Sequence, residues 1–217
     1  PEGLFVLDKN DIKIECKINP LKFENPIPKI EYSEDSDNIF NPIIPLPNNS
    51  KLKNETINIK DLIFKIPSSE KVFFDNFENL LKVSDIKFNT LNGYPIVFTK
   101  KQLQPEEYQI TIEKNLITIH YSDYGGKFYS IISLIQLLNY YKSNLPLGLI
   151  QDSPALNWRG MHLDCARQFY SIDEIKRLLD YMSFFKLNRF HWHLTDNEAW
   201  RVELECYPNL TKVGAFR

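Results

Sequence analysis

The chain has 217 residues, 43% of them hydrophobic and 13% aromatic, with 26 Lys+Arg against 28 Asp+Glu and a formal net charge of -2. That length holds one large domain or two ordinary ones, with enough apolar residues for a sizeable core. The charge balance excludes the basic excess that a nucleic-acid partner calls for and any long acidic tail, and no apolar run reaches the roughly 18 residues of a membrane span. The three cysteines, Cys16, Cys165 and Cys206, are odd in number and widely spaced. They support neither a disulfide framework nor a Cys-x-x-Cys metal site, so ordinary buried or half-buried thiols are expected.

Residues 1–40 carry short alternating runs such as Phe5-Val-Leu7 and Ile12-Lys-Ile14, broken by Pro20, Pro26 and Pro28. They read as the tail of a β-rich N-terminal module. The opening Pro1-Glu2-Gly3, without initiator Met or signal peptide, fits the middle of a longer protein or a mature end. The acidic run from Glu31 to Asp37 reads as a solvated linker, and the Pro-rich stretch Pro42 to Pro47 places a boundary near 41.

Residues 41–152 read as an α+β domain, a small sheet with helices on one face. Ile57-Asn-Ile59 and Leu62 to Ile66 are β-rich, and residues 69–82 carry a helical pattern with apolar positions at 73, 77, 80 and 81. Tyr108, Ile110 and Ile112, then Ile117, Ile119 and Tyr121, alternate with polar residues around a Glu113-Lys-Asn115 turn. That pattern predicts a hairpin with one buried face. Gly125-Gly126 opens a helix over about 127–141, and Leu145-Pro146 to Pro154 reads as a connector.

From 153 to 217 the pattern becomes strand, helix, strand. Met161, Leu163 and Cys165 alternate with His162, Asp164 and Ala166, and Ser171-Ile-Asp-Glu174 is a capping box. Ile175, Leu178, Leu179, Met182 and Phe185 form one helical stripe, and Asn188 to Leu194 is the next strand. A strand, a crossover of about twenty residues and a further strand make a right-handed βαβ unit with parallel neighbours. Parallel neighbours align their C-terminal ends, so Arg167 and Asp196, just past the two strands, are expected at one rim. An arginine there suits sugar hydroxyls or a carboxylate; a structural ion pair at a strand end accounts for the same spacing. His191 and His193 share one strand face. Two imidazoles with Asp196 nearby could ligate zinc or another divalent metal, as in a metal-dependent barrel hydrolase, or could be satisfied polar core histidines.

Taken together, Arg159-Gly-x-x-Leu-Asp164-x-x-Arg167-x-Phe, Lys186-Leu-Asn188, Phe190-His-Trp-His-Leu-Thr-Asp196 and Trp200-Arg201 resemble glycoside hydrolase family 20, the β-N-acetylhexosaminidases and chitobiases. The match spans residues 157–217. Residues 41–152 are similar to the α+β domain that precedes the barrel in that family, with Gly126 to Tyr129 at the helix start in support. The resemblance implies that 153–217 begins a (β/α)₈ catalytic barrel, for which about 250 residues are needed. It implies no cofactor, no metal, a carbohydrate substrate with terminal N-acetylhexosamine, and an extracellular, periplasmic or lysosomal setting. Arg167 matches the arginine that hydrogen-bonds the terminal sugar, Asp196 an aspartate that supports a histidine near the general acid, and His191 and His193 interior structural residues. The implied mechanism is substrate-assisted retention.

The Asp-Glu pair that the family uses, in a His-x-Gly-x-Asp-Glu motif, does not occur in these residues. Asp173-Glu174 belongs to the helix cap, and Glu34-Asp35 has the wrong order. Asn197 stands where the family often has a second acid. The expectation is therefore a chain that holds sugar but does not hydrolyse alone, its barrel completed by further sequence or a second polypeptide. A non-catalytic sugar-binding module is the remaining alternative.

Overall fold

The computed structural model describes residues 5–7, 13–15, 39–59, 63–75, 77, 80, 86–197 and 199–216. The chain divides into two compact units, Pro1–Asp35 and Ser36–Arg217. In the first, β1 (Phe5–Leu7) and β2 (Lys13–Glu15) pair antiparallel. The 31–37 linker reading and the residues between these strands lie outside the described residues.

The second unit is built on a mixed sheet. Its strands are β3 (Asn49–Asn58), β4 (Ile63–Lys65), β5 (Lys87–Asn89), β6 (Tyr94–Lys100), β7 (Tyr108–Ile112), β8 (Ile117–Tyr121) and β9 (Asn144–Asp152), in the order β3-β9-β7-β8-β6-β4-β5. Seven strands make it larger than the small sheet expected. The β7–β8 hairpin has the expected alternation: Ile110 faces Ile119 and Ile112 faces Ile117, and all four are buried.

One expectation is corrected. The stretch 145–154 is not a connector, since most of it is β9, paired with β3 on one side and β7 on the other. Pro146 is tolerated because pairing to β7 begins only at Gly148, so no β7 ladder bond is asked of the missing N–H. Gly148 has φ +151°, and a Cβ there would meet the Lys51 carbonyl oxygen at 2.2 Å, beside a register shift in β3. The two residues that look like breakers thus mark an irregular strand paired to β3 and, from Gly148 on, also to β7, and Leu145, Leu147 and Ile150 are buried.

The helix expected over 69–82 is a 3₁₀ turn (Ser68–Glu70) followed by α1 (Lys71–Asp75), with much of the remainder outside the described residues. The long helix α2 (Tyr124–Tyr141) is capped by Asp123, whose carboxylate accepts from Gly126 N at 2.9 Å. Burial pushes the Asp123 carboxyl up, but bonds from the Gly126 and Glu106 N–H groups outweigh it and hold it below the ordinary range. A Cβ on Gly126 would lie 2.4 Å from the Glu107 carbonyl oxygen, so only glycine lets the helix start approach β7 so closely. Nearly every residue of α2 from Gly126 to Leu138 is buried, because the helix is covered on more than its sheet face. Gln136 shows what lies on the other side: it bonds the Ile44 backbone and the Phe184 carbonyl.

Beyond the sheet, β10 (Gly160–Asp164), α3 (Ile172–Phe184) and β11 (Arg189–His193) form a strand–helix–strand unit with the two strands parallel and in register. Ser171 and Glu174 make the expected reciprocal cap. Helix α3 ends one residue before Phe185, which caps it; of the expected stripe, Ile175 and Met182 are buried and Leu179 and Phe185 stay exposed. Cys165 is buried and Cys206 exposed, both as free thiols. No helix of the described residues is long and apolar enough to cross a membrane.

Candidate functional site

Parallel pairing sets Asp164 opposite His193 at the C-terminal ends of β10 and β11. The chain leaves β10 in a tight turn held by the Asp164 carboxylate, which accepts from Ala166 N at 3.0 Å and Arg167 N at 3.1 Å. That turn throws the Arg167 side chain back across the two strand tips. Its Nη1 lies 2.9 Å from Asp164 Oδ2 and 2.7 Å from Asp196 Oδ2. Asp196 is fixed in turn by Asn197 N at 2.7 Å and by His193 Nε2 at 3.0 Å. Arg167 Nη1 also approaches His193 Nε2 at 3.3 Å. The structure thus brings both sequence-predicted residues to one rim.

Behind the tip, the return of the chain is fastened by Arg201. Its Nε donates to the Cys165 carbonyl at 3.1 Å and its Nη1 to that of Ala215, while its backbone N–H reaches Leu194 O at 3.1 Å. The loop carrying Asp196 is closed by a bridge between Thr195 and Trp200.

The electrostatics follow from this packing. Asn197 N–H and then His193 hold the Asp196 carboxyl below the usual range, and Arg167, through its backbone N–H first, does the same for Asp164. Desolvation pulls the Arg167 guanidinium down, but the two carboxylates more than compensate and keep it firmly protonated. One cation between two carboxylates leaves the tip with a net charge of about -1 at neutral pH. Such a site repels an acidic substrate and offers hydroxyl groups both a donor and acceptors. The Arg167 side chain remains 50% exposed, so a ligand can reach it.

His191 and His193 lie on one face, and the register adds His162, directly opposite His191, to them. Spacing within one strand could not show that third imidazole; laying the two strands side by side could have.

A second polar cluster joins Arg159, Lys186 and Asn188 of the quoted motifs to Asp152, Tyr108 and Glu106, which the sequence did not connect to them. Lys186 Nζ reaches Asp152 Oδ2 at 2.8 Å and the Tyr108 hydroxyl at 2.9 Å, and Tyr108 OH lies 2.5 Å from Ser133 Oγ. Burial lowers the Lys186 ammonium against the pull of Asp152, and burial raises the Tyr108 phenol well above its ordinary value. Beside it, Arg159 Nη2 pairs with Glu106 at 2.7 Å, and Asn188 Nδ2 reaches the same carboxylate at 3.3 Å. Lys186, Asp152, Tyr108, Arg159 and Glu106 line a cavity of about 220 Å³ between the sheet and the strand–helix–strand unit. Lys186 holds φ +60° in the position just past the helix cap, where glycine or asparagine is the usual choice.

Comparison with known proteins gives two family matches. Residues 41–153 match glycosyl hydrolase family 20, domain 2, and residues 156–217 match the glycosyl hydrolase family 20 catalytic domain. The N,N'-diacetylchitobiase of Vibrio harveyi is 30% identical over 221 residues, covering 97% of this chain and 25% of that protein. A β-hexosaminidase of Vibrio furnissii is 37% identical over 124 residues, covering 56% of this chain and 20% of that protein. Among solved structures, an inactive mutant of the exo β-N-acetylglucosaminidase of Vibrio harveyi superposes with a TM-score of 0.70 at 32% identity, covering 81% of this chain and 29% of that one. The β-N-acetylhexosaminidase of Bacteroides fragilis gives 0.69 at 30% identity, covering 82% and 38%. The chain spans about a fifth to a quarter of the length of these curated relatives.

Proposed function

The chain belongs to glycosyl hydrolase family 20, and from that premise we propose that it forms the sugar-holding edge of an exo-β-N-acetylhexosaminidase. Residues 41–152 are the auxiliary α+β domain and residues 153–217 open the catalytic (β/α)₈ barrel. Arg167 donates to hydroxyls of the terminal N-acetylhexosamine, and Asp196 orients His193 and accepts from the sugar. The observation that carries this reading is Arg167 held between Asp164 and Asp196 across two parallel strand tips, where barrel enzymes place their chemistry. The names of the relatives, β-hexosaminidase and N,N'-diacetylchitobiase, support the substrate class.

Hydrolysis in this scheme is substrate-assisted, with the sugar's own acetamido oxygen attacking the anomeric carbon. It still needs a carboxylic acid to protonate the leaving oxygen, and a positioned general acid is worth about 10²–10⁴-fold. The one Asp-Glu pair in these residues, Asp173-Glu174, is occupied at the start of α3: the Glu174 carboxylate accepts from Ser171 N at 2.7 Å. The 217-residue chain alone is therefore inactive.

The test is a chimera in which this chain replaces the aligned stretch of the Vibrio harveyi enzyme, its folding checked by thermal unfolding. The folded chimera should hydrolyse a chromogenic N-acetylglucosaminide, and Arg167→Lys should lower its kcat/KM roughly 10- to 100-fold, as expected for lost hydrogen bonds to a charged donor. The isolated chain should be silent. An Arg167→Lys chimera with unchanged kcat/KM overturns the assigned role, and turnover by the isolated chain overturns the proposed division of labour.

A further inference from the structure

We propose that His162, His191 and His193 form a binding site for one first-row divalent transition-metal ion, with zinc and nickel as the expected occupants. The site goes beyond the hydrolase reading, and no step of the proposed hydrolysis runs through it.

His162 and His191 are directly opposed on adjacent parallel strands, and His193 lies two residues further along the same face. The backbone therefore delivers three imidazoles to one spot. The ring centroids lie 4.6 Å apart for His162 and His191, 5.8 Å for His162 and His193, and 6.4 Å for His191 and His193. One ring nitrogen from each falls within 4.8 Å of the other two. Zinc–imidazole bonds of about 2.0–2.1 Å at tetrahedral angles set the nitrogens about 3.3 Å apart. The rings must close by at most about 1.5 Å, which side-chain torsions supply without moving the strands.

Two further observations favour a metal over a merely packed cluster. His162 and His191 make no hydrogen bond among the described residues, so binding breaks none. His193, in contrast, is anchored through Nε2 to Asp196 at 3.0 Å, which leaves Nδ1 for a metal. A carboxylate holding the far nitrogen of an imidazole is the usual support of a metal-bound histidine, since it fixes the tautomer and raises ligand basicity. The adjoining tip of Arg167, Asp164 and Asp196 has a net charge of about -1, which favours a cation nearby. Three nitrogen donors select zinc, nickel, copper or cobalt over magnesium or calcium, and they leave a fourth position for water.

The test is calorimetric titration of the 217-residue chain, without a polyhistidine tag, with zinc and nickel chlorides. One equivalent of each should bind, and magnesium should give no heat. Cobalt should give the visible bands of a tetrahedral nitrogen site. His162→Ala and His191→Ala should each weaken zinc binding at least tenfold, and Asp196→Asn should weaken it about 10- to 100-fold through the lost support. His120→Ala and Cys206→Ser should leave it unchanged. Independently of any variant, ring-nitrogen NMR of the unaltered chain should show the three histidines shifting on zinc addition. The proposal is overturned by absence of binding, by binding that survives His162→Ala, by binding that Cys206→Ser removes, or by ring signals that do not move.

Discussion

Lys186→Met removes the charge from the cluster between the sheet and the strand–helix–strand unit while keeping an apolar stem of similar length. The Lys186 and Asp152 side chains are only 7% and 13% exposed and sit 2.8 Å apart. Breaking a buried pair from one side costs about 3–5 kcal/mol, because the remaining charge loses its partner away from water. Asp152 keeps two donors, Tyr108 OH at 3.0 Å and Asn48 N at 3.3 Å. The low end of that range is therefore expected, about 3 kcal/mol. For a unit of this size that corresponds to a fall in Tm of about 6–12 °C. In the double variant Lys186→Met/Asp152→Asn neither charge is left, and the loss should shrink to about 1 kcal/mol, well below the sum of the two single variants. Urea unfolding should be followed by tryptophan fluorescence, since Trp158, Trp192 and Trp200 all belong to 153–217. Far-UV dichroism, dominated by the sheet and α2, is the second probe. The two transitions should coincide in the unaltered chain and separate in Lys186→Met. A single-variant cost under about 1 kcal/mol, or a double variant equal to the sum of its singles, would refute the reasoning.

Three other outcomes are expected. Gly148→Ala should destabilise the sheet by about 3 kcal/mol, because φ +151° is a glycine-only region and the Lys51 carbonyl leaves the new Cβ no room; thermal unfolding measures it, and an unchanged Tm would contradict the strand assignment. Ser171→Ala should cost about 1 kcal/mol by removing the α3 cap, measured by urea unfolding, and Ser171→Gly should cost only a few tenths. Asp164 and Asp196 both have folded pKa values below the ordinary value of about 3.9, so their contribution is complete above that pH and is lost as pH falls through the folded values. Stability of the unaltered chain and of Asp196→Asn should therefore run parallel from neutrality down to about pH 4 and converge only below it; convergence between pH 5 and 7 would count against the tip geometry.

Much of the strand–helix–strand unit was legible because each signal there is local. Alternation marks β10, a capping box marks the start of α3, and parallel strands align their tips, which puts Arg167 beside Asp196 without any knowledge of the rest of the fold. Strand β3 was legible only at its end, since only Leu52 and Ile57 of its ten residues are buried and the rest show no period. Strand β9 was misread because proline and glycine usually stop strands; which neighbour asks for an N–H at Pro146 is a property of the sheet and not of the segment. The Lys186 cluster was illegible for a related reason. Its bonds join residues 34, 78 and 53 positions apart, Lys186 to Asp152 and Tyr108 and Arg159 to Glu106, and no window of sequence contains them.

That cluster and the tip are linked through β11. Lys186 N bonds Ser183 O and Leu187 N bonds Met182 O, the paired bonds that close a helix when the residue past its cap is left-handed. A non-glycine residue there costs about 1–2 kcal/mol, which glycine would avoid. Only a long cationic side chain reaches Asp152 from that point, so the pair at 2.8 Å offsets the backbone cost and fixes where α3 ends. Two residues later Asn188 is held by Glu106 and by Arg159, whose backbone N–H donates to its Oδ1 at 3.0 Å. The start of β11 is thereby clamped to the sheet and to β10, and the five residues that follow carry that placement to the far end. Arg167 and Asp196 can then meet at 2.7 Å although half of the arginine is exposed. The strand bottoms are held by buried charge, and the tips are left open for a ligand. Lys186→Gly separates the two contributions: it relieves the backbone but not the lost pair, and should be about 1 kcal/mol less damaging than Lys186→Ala in urea unfolding. Equal costs for the two variants would show that the left-handed turn is not what the lysine offsets.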